Sequence, residues 1–130
     1  MSTIKANTLL HSDGSTTTPP SIPALDKRMA KAWVAFNGSN TVSIDKSYNV
    51  SSITDIGTGK YRVNISPVMS DANYVWVGTA MKYTSWYPSV VQYDNSARTT
   101  AYIPVGISDA YGGGAGWTDS AGVSIVIFST

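Results

Sequence analysis

The chain holds one imidazole. His11 stands in the run His11-Ser12-Asp13-Gly14-Ser15-Thr16-Thr17-Thr18-Pro19-Pro20, which has no apolar residue and no periodicity. A serine or threonine nucleophile needs a positioned base, most often histidine, and His11 is far in sequence from any scaffolded loop. There is no cysteine, so neither a thiolate metal site nor a disulfide framework is available. The acidic residues are eight aspartates and no glutamate. They lack the alternating spacing of a calcium-binding loop. Asp94, Asp109 and Asp119 fall on predicted loops, where a glycosidase pair is formally possible. Eight aspartates in 130 residues bring some onto neighbouring loops by chance, so that signal has little weight. Gly112-Gly113-Gly114-Ala115-Gly116 lacks the Lys-Ser/Thr that follows a phosphate-binding loop, and no helix start is predicted after it. The expectation is a protein that is not an enzyme, with no cofactor and no metal site.

Aromatic residues on loops are the remaining chemical signal. Trp86 and Tyr87 lie in the segment 81–88, and Tyr111 and Trp117 flank the glycine cluster in 109–119. No strand alternation explains them. A sugar ring needs a flat apolar surface for its C–H face and polar edges for its hydroxyls, and these rings sit among serine, aspartate and asparagine. A protein interface asks for the same residues. Trp86, Tyr87, Tyr111 and Trp117 are therefore candidate glycan contacts, with subunit packing and loop self-packing as the alternatives.

The elements that must carry these loops follow from composition. Valine and isoleucine total 22, against three leucines, and tyrosine and tryptophan total 12. Straight-chain helix formers are scarce and β-branched and aromatic residues abundant, which predicts a mainly β protein. Strands are expected at 32–36, 41–44, 48–56, 60–66, 74–80, 90–93, 99–107 and 122–129, with 81–88 and 109–119 as long loops. Gly57-Thr58-Gly59 marks a hairpin. After it Tyr61, Val63 and Ile65 alternate with Lys60, Arg62 and Asn64, the pattern of one dry and one wet face. Val123–Phe128 is apolar on nearly both faces, as a central or intersubunit strand would be. Seven or eight short strands at this spacing predict an antiparallel β-sandwich-like module.

Ahead of the module lies a different kind of sequence. Residues 1 to about 22 read as an extended arm whose apolar residues, Ile4, Leu9 and Leu10 among them, are candidates for docking on a partner. Residues 23–31 read as a short helix, opened by Pro23, with Leu25, Met29 and Trp33 at four-residue spacing. That stripe is a candidate subunit contact. The organisation expected is an arm and helix over 1–32 and a β-sandwich over 33–130. Net charge is +1, which argues against a nucleic-acid partner, and no apolar run approaches the ~20 residues of a membrane helix.

The segment Pro23-Ala24-Leu25-Asp26-Lys27-Arg28-Met29-Ala30-Lys31-Ala32-Trp33-Val34-Ala35-Phe36-Asn37-Gly38 resembles a stretch of bacteriophage tail-fibre and other virion structural proteins, in which an arm runs into an AWVxFNG pattern. Tyr48–Asp55, the Gly57-Thr58-Gly59 turn and Met69–Tyr74 continue the likeness, which covers residues 22–80 and carries no catalytic motif. It implies a β-sandwich-like module displayed on a tail, commonly a homotrimer and often touching the host surface; with the arm read above as a docking segment, the partners expected are other tail proteins, and host surface polysaccharide is the candidate ligand of the loop aromatics. Synthesis in the host cytoplasm and residence in the virion tail are expected with it, in line with the lack of a secretion signal in MSTIKANTLL. The alternative is a monomeric carbohydrate-binding module.

Overall fold

The computed structural model describes residues 2–16, 28–81, 88–93, 98–111 and 114–129. Nine strands form two antiparallel sheets, and no helix occurs among the described residues. Sheet A holds β1 (Ala32–Asn37), β2 (Ser43–Tyr48), β5 (Val75–Met81) and β9 (Gly122–Phe128) in the order β2-β1-β9-β5. Sheet B holds β3 (Val50–Gly57), β4 (Lys60–Ile65), β6 (Pro88–Val91), β7 (Tyr102–Tyr111) and β8 (Gly114–Trp117). Its order is β3-β4-β7-β6, with β8 paired to the outer half of β7.

Period-two alternation builds the core. β1 turns Ala32, Val34 and Phe36 inward and β9 turns Val123, Ile125 and Ile127 inward; from sheet B come Tyr61, Val63 and Ile65 of β4 and Ile103, Val105 and Ile107 of β7. Each valine, isoleucine or phenylalanine among them contributes roughly 1.5–3 kcal/mol on burial. β9 is a central strand between β1 and β5; Val123, Ile125 and Ile127 face the core, and Val126 and Phe128 lie on the outward face.

The chain departs from the sequence expectation at three places. The strand expected over 48–56 is broken at Asn49, whose φ of 54° lies in the left-handed region that asparagine tolerates. Its side-chain amide donates to Lys31 O at 2.8 Å, and there the chain passes from sheet A to sheet B. The loop expected over 109–119 is largely a hairpin, because Ser108–Tyr111 and Gly114–Trp117 pair in antiparallel register. That pairing raises the strand count to nine.

Residues 28–31 are turn and bend, not the end of a helix, and 23–27 lie outside the described residues. The reason is local: Lys31 N donates to Ile127 O at 2.8 Å, which draws this backbone into the ladder of sheet A. Met29 and Trp33 therefore share no helical face. Pro104 lies within β7, inside the strand expected over 99–107. The bonds Ile107 N to Gly59 O and Ile65 N to Ala101 O place the odd-numbered β7 amides toward β4, so the nitrogen of Pro104 faces the opposite edge. β6 pairs only with residues 106–109 there, and no ladder bond is lost.

One end of the sandwich is closed by a polar junction. The Tyr61 hydroxyl lies 2.7 Å from Gly38 O and 2.9 Å from Asp119 Oδ1 and shares its one proton between them. Asp119 Oδ1 also accepts from Gly59 N at 2.7 Å, and Gly38 N donates to Ser120 O at 2.8 Å. Both glycines are required: a Cβ at Gly38 would fall 2.6 Å from the Tyr61 hydroxyl, and Gly59 combines φ of 66° with contact against Thr118 backbone. At the other end the Tyr74 hydroxyl donates toward Thr99 O and Tyr102 O, and Arg98 donates to Tyr74 O.

Burial, and after it the Asp119 carboxylate, hold the Tyr61 hydroxyl above the ordinary tyrosine value of 10.0. Tyr74 is also raised, mainly by burial. A phenol that ionises less readily when folded favours the folded state below the unfolded value. That contribution is lost as pH rises through and beyond about 10. Stability is thus expected to fall above pH ~10. Tyr61→Phe should cost about 1–3 kcal/mol at pH 7, because Asp119 and Gly38 O lose their donor, and should flatten the alkaline limb. Urea unfolding at pH 7 and pH 11 measures both; an alkaline slope unchanged by Tyr61→Phe would contradict the assignment.

Candidate functional site

The outward faces of the two sheets carry different chemistry, and both follow from register. On sheet A, Tyr48, Trp33, Val126 and Val77 stand directly opposite one another across all four strands. Val75 and Phe128 form the next pair along. Val75 is 63% and Val77 58% exposed, and Trp33 and Tyr48 are more than a third exposed. The result is a continuous apolar band on a surface facing water. Its two edges differ. β2 carries Asp45 and Lys46 and a register shift against β1, features that discourage edge pairing. β5, Val-Trp-Val-Gly-Thr-Ala-Met, has neither a charge nor a proline.

On sheet B the outward positions are Ser52 and Thr54 of β3, Lys60, Arg62 and Asn64 of β4, and Tyr102, Pro104, Gly106 and Ser108 of β7. Ser89 and Val91 of β6 and Trp117 of β8 share this face. Lys60 Nζ lies 5.1 Å from the centre of the Trp117 ring, and the Arg62 guanidinium 4.9 Å from that of Tyr102. Tyr93 meets Trp117 edge to face at 6.2 Å. Gly106 makes this assembly possible. A Cβ there would fall 2.4 Å from the Trp117 ring and 2.7 Å from Tyr93 Cβ, so the missing side chain is the slot into which both residues fold. Beside it, Asn64 Nδ2 donates to Ser52 Oγ at 2.9 Å and to Thr54 Oγ1 at 2.8 Å.

Of the four candidate glycan contacts, Trp117 alone has a described side chain, and it is 38% exposed. It stands on β8, and Tyr111 ends β7 with its side chain outside the described residues. Trp86 and Tyr87 lie outside the described residues. The partners that surround Trp117 were not singled out by sequence. Alternation did place Lys60 and Arg62 on the wet face, but which rings they meet depends on β4–β7–β8 pairing between residues far apart in the chain. Of the candidate subunit contacts, Trp33 lies in the apolar band of sheet A, Met29 is exposed outside it, and Leu25 lies outside the described residues. Ile4, Leu9 and Leu10 are exposed along an arm without strand or helix over 2–16.

Asp119 is engaged in the Tyr61 junction. Asp109 sits at a β7 position opposite Gly116, and Asp94 lies outside the described residues. No group of three or more metal-ligating side chains occurs among the described residues, and no helix among them is long and apolar enough to cross a membrane. His11 Nδ1 pairs with Asp13 Oδ1 at 3.0 Å, within the exposed arm. With Ser15 N donating to it, the Asp13 carboxyl is held below the usual range.

Gly106→Val is expected to displace Trp117 and Tyr93 from the sheet while leaving the core pairs intact. The check is near-ultraviolet circular dichroism beside far-ultraviolet: the aromatic signal should change and the β signal persist. An unchanged aromatic signal would show that the rings do not pack on Gly106.

No protein-family model, no curated protein and no solved structure matches this chain.

Proposed function

We propose that this protein is a structural, adhesive component of a phage tail, self-associating through its β-sandwich, attached by its N-terminal arm, and touching host surface glycans with its outer rings. The observation that carries the reading is the apolar band of sheet A. Monomeric soluble proteins rarely leave contiguous apolar patches larger than a few hundred Å² open to water. Here Tyr48, Trp33, Val126 and Val77 run across a whole sheet and end at β5, an edge without a charge or proline. A second copy is the occupant this surface suits best, since it offers the same apolar band in return. The copy number of three comes from the resemblance of residues 22–80 to tail-fibre sequences; the band accounts for association itself.

The arm supports attachment. Ile4, Leu9 and Leu10 are exposed on a segment without regular structure, followed by a polar run that cannot bury enough to fold alone. A monomeric carbohydrate-binding module remains the second reading, favoured by the Lys60–Trp117–Tyr93 cluster on sheet B.

Sedimentation velocity at micromolar concentration separates the two. The expected result is a trimer of about three times 13.8 kDa, dissociated by Val77→Lys without loss of β structure. A monomer at all concentrations favours the carbohydrate-binding module. Deleting residues 2–16 should leave association intact and abolish incorporation into assembled tails; normal incorporation would contradict the role of the arm.

A further inference from the structure

We infer that the outer face of sheet B binds an acidic saccharide, a sugar chain bearing carboxylates, with Trp117 as the stacking surface and Lys60 and Arg62 as the anion contacts. The inference rests on the glycan-contact part of the reading above and adds the charge class of the sugar.

Three observations converge. The first is the pair of cations. Lys60 and Arg62 are two residues apart on one strand, so they project from the same face about 7 Å apart. Each is held over an aromatic ring and not by a carboxylate: Lys60 over Trp117, Arg62 over Tyr102. The only ion pair among the described residues is that of His11 with Asp13. The second is the composition of the face. The register of β3, β4, β6, β7 and β8 puts no aspartate at any outward position among the described residues, so no described strand neighbour on this face pairs with the two charges. Arg62 Nε is buried without a hydrogen-bond partner, which fits a guanidinium fixed in place by stacking on Tyr102.

The third is the company these cations keep. Trp117 is partly exposed beside them, Tyr93 packs against its edge, and the Ser52 and Thr54 hydroxyls with the Asn64 amide lie across the strand pair. Flat ring, hydroxyls and two cations match an acidic sugar: C–H faces on the indole, hydroxyls on the polar row, carboxylates on Arg62 and Lys60. A neutral sugar would leave both cations unused. A nucleic-acid strand also has stacking bases and negative charge, but two cations on a chain of net charge +1 are few for it.

Calorimetric titration of the full chain tests this, with a galacturonic acid oligomer and a sialylated trisaccharide as probes and their uncharged counterparts as controls. Both acidic probes should bind about tenfold more tightly than the neutral ones, a gain of the size one charge-assisted contact supplies. Arg62→Gln and Lys60→Gln should each reduce acidic binding toward the neutral level, and Trp117→Ala should abolish both. Thermal melts of each variant show that it remains folded. Equal binding of acidic and neutral probes overturns the charge assignment while leaving glycan contact standing. Binding of none overturns both. Tighter binding of a thymidine oligomer than of any sugar overturns the saccharide in favour of a nucleic acid.

Discussion

The Tyr61 hydroxyl is the point on which the two sheets depend. It belongs to β4 of sheet B, yet its acceptors, Gly38 O and Asp119 Oδ1, belong to segments that flank β1 and β9 of sheet A. Through Gly59 N the same carboxylate fixes the β3–β4 turn. A buried phenol without partners would cost about 1–3 kcal/mol; here its acceptors come from the segment after β1 and the segment before β9. The phenyl ring beneath it packs edge to face on Phe36 at 5.3 Å, so the polar junction and the apolar core lock at one residue. Because β4 and β7 are held in register from this end, Lys60 is brought opposite Gly106 and Arg62 opposite Pro104. The outward chemistry of sheet B is thereby set by a contact on its inward side.

Alternation along the strands gives the molecule two surfaces from one core. Where inward Val34 and Ile125 fill the sandwich, outward Trp33 and Val126 leave an apolar band. Where inward Tyr61 and Val63 fill it, outward Lys60 and Arg62 leave a charged, ring-bearing face. A two-layer fold presents these on opposite sides. One side can therefore meet another copy while the other stays open to a ligand. That separation is what the proposed reading requires, and repeated weak sites on an assembly gain by avidity.

Much of the architecture is legible in residue order. Tyr61, Val63 and Ile65 against Lys60, Arg62 and Asn64 give β4 and its orientation outright, and Val123–Phe128 gives a central strand. What residue order hides is pairing over distance. Gly106 reads as an ordinary strand residue until Trp117, eleven positions later, folds across it. The glycine run at 112–116 reads as a loop because its residues have little strand propensity; the partner segment Ser108–Tyr111 makes Gly114–Trp117 a strand. The four-residue spacing of Leu25, Met29 and Trp33 suggests a helix, but over the described residues 28–33 the Lys31–Ile127 hydrogen bond draws the backbone into the sheet, so Met29 and Trp33 do not share a helical face. Asn49 breaks a run of good strand formers for a reason of its own, since its side chain bonds to Lys31 O at the corner between sheets.

In the proposed function the two outer faces act separately, sheet A in self-association and sheet B in ligand contact. Fluorine NMR of the full chain with fluorotryptophan at its four tryptophans addresses it directly, with Trp33 and Trp117 assigned by substitution. On raising protein concentration, the Trp33 resonance should shift while that of Trp117 stays fixed. On adding the acidic saccharide at constant concentration, Trp117 should shift and Trp33 stay fixed. If the two resonances move together in both titrations, or Trp33 is indifferent to concentration, the account of two independent faces is wrong.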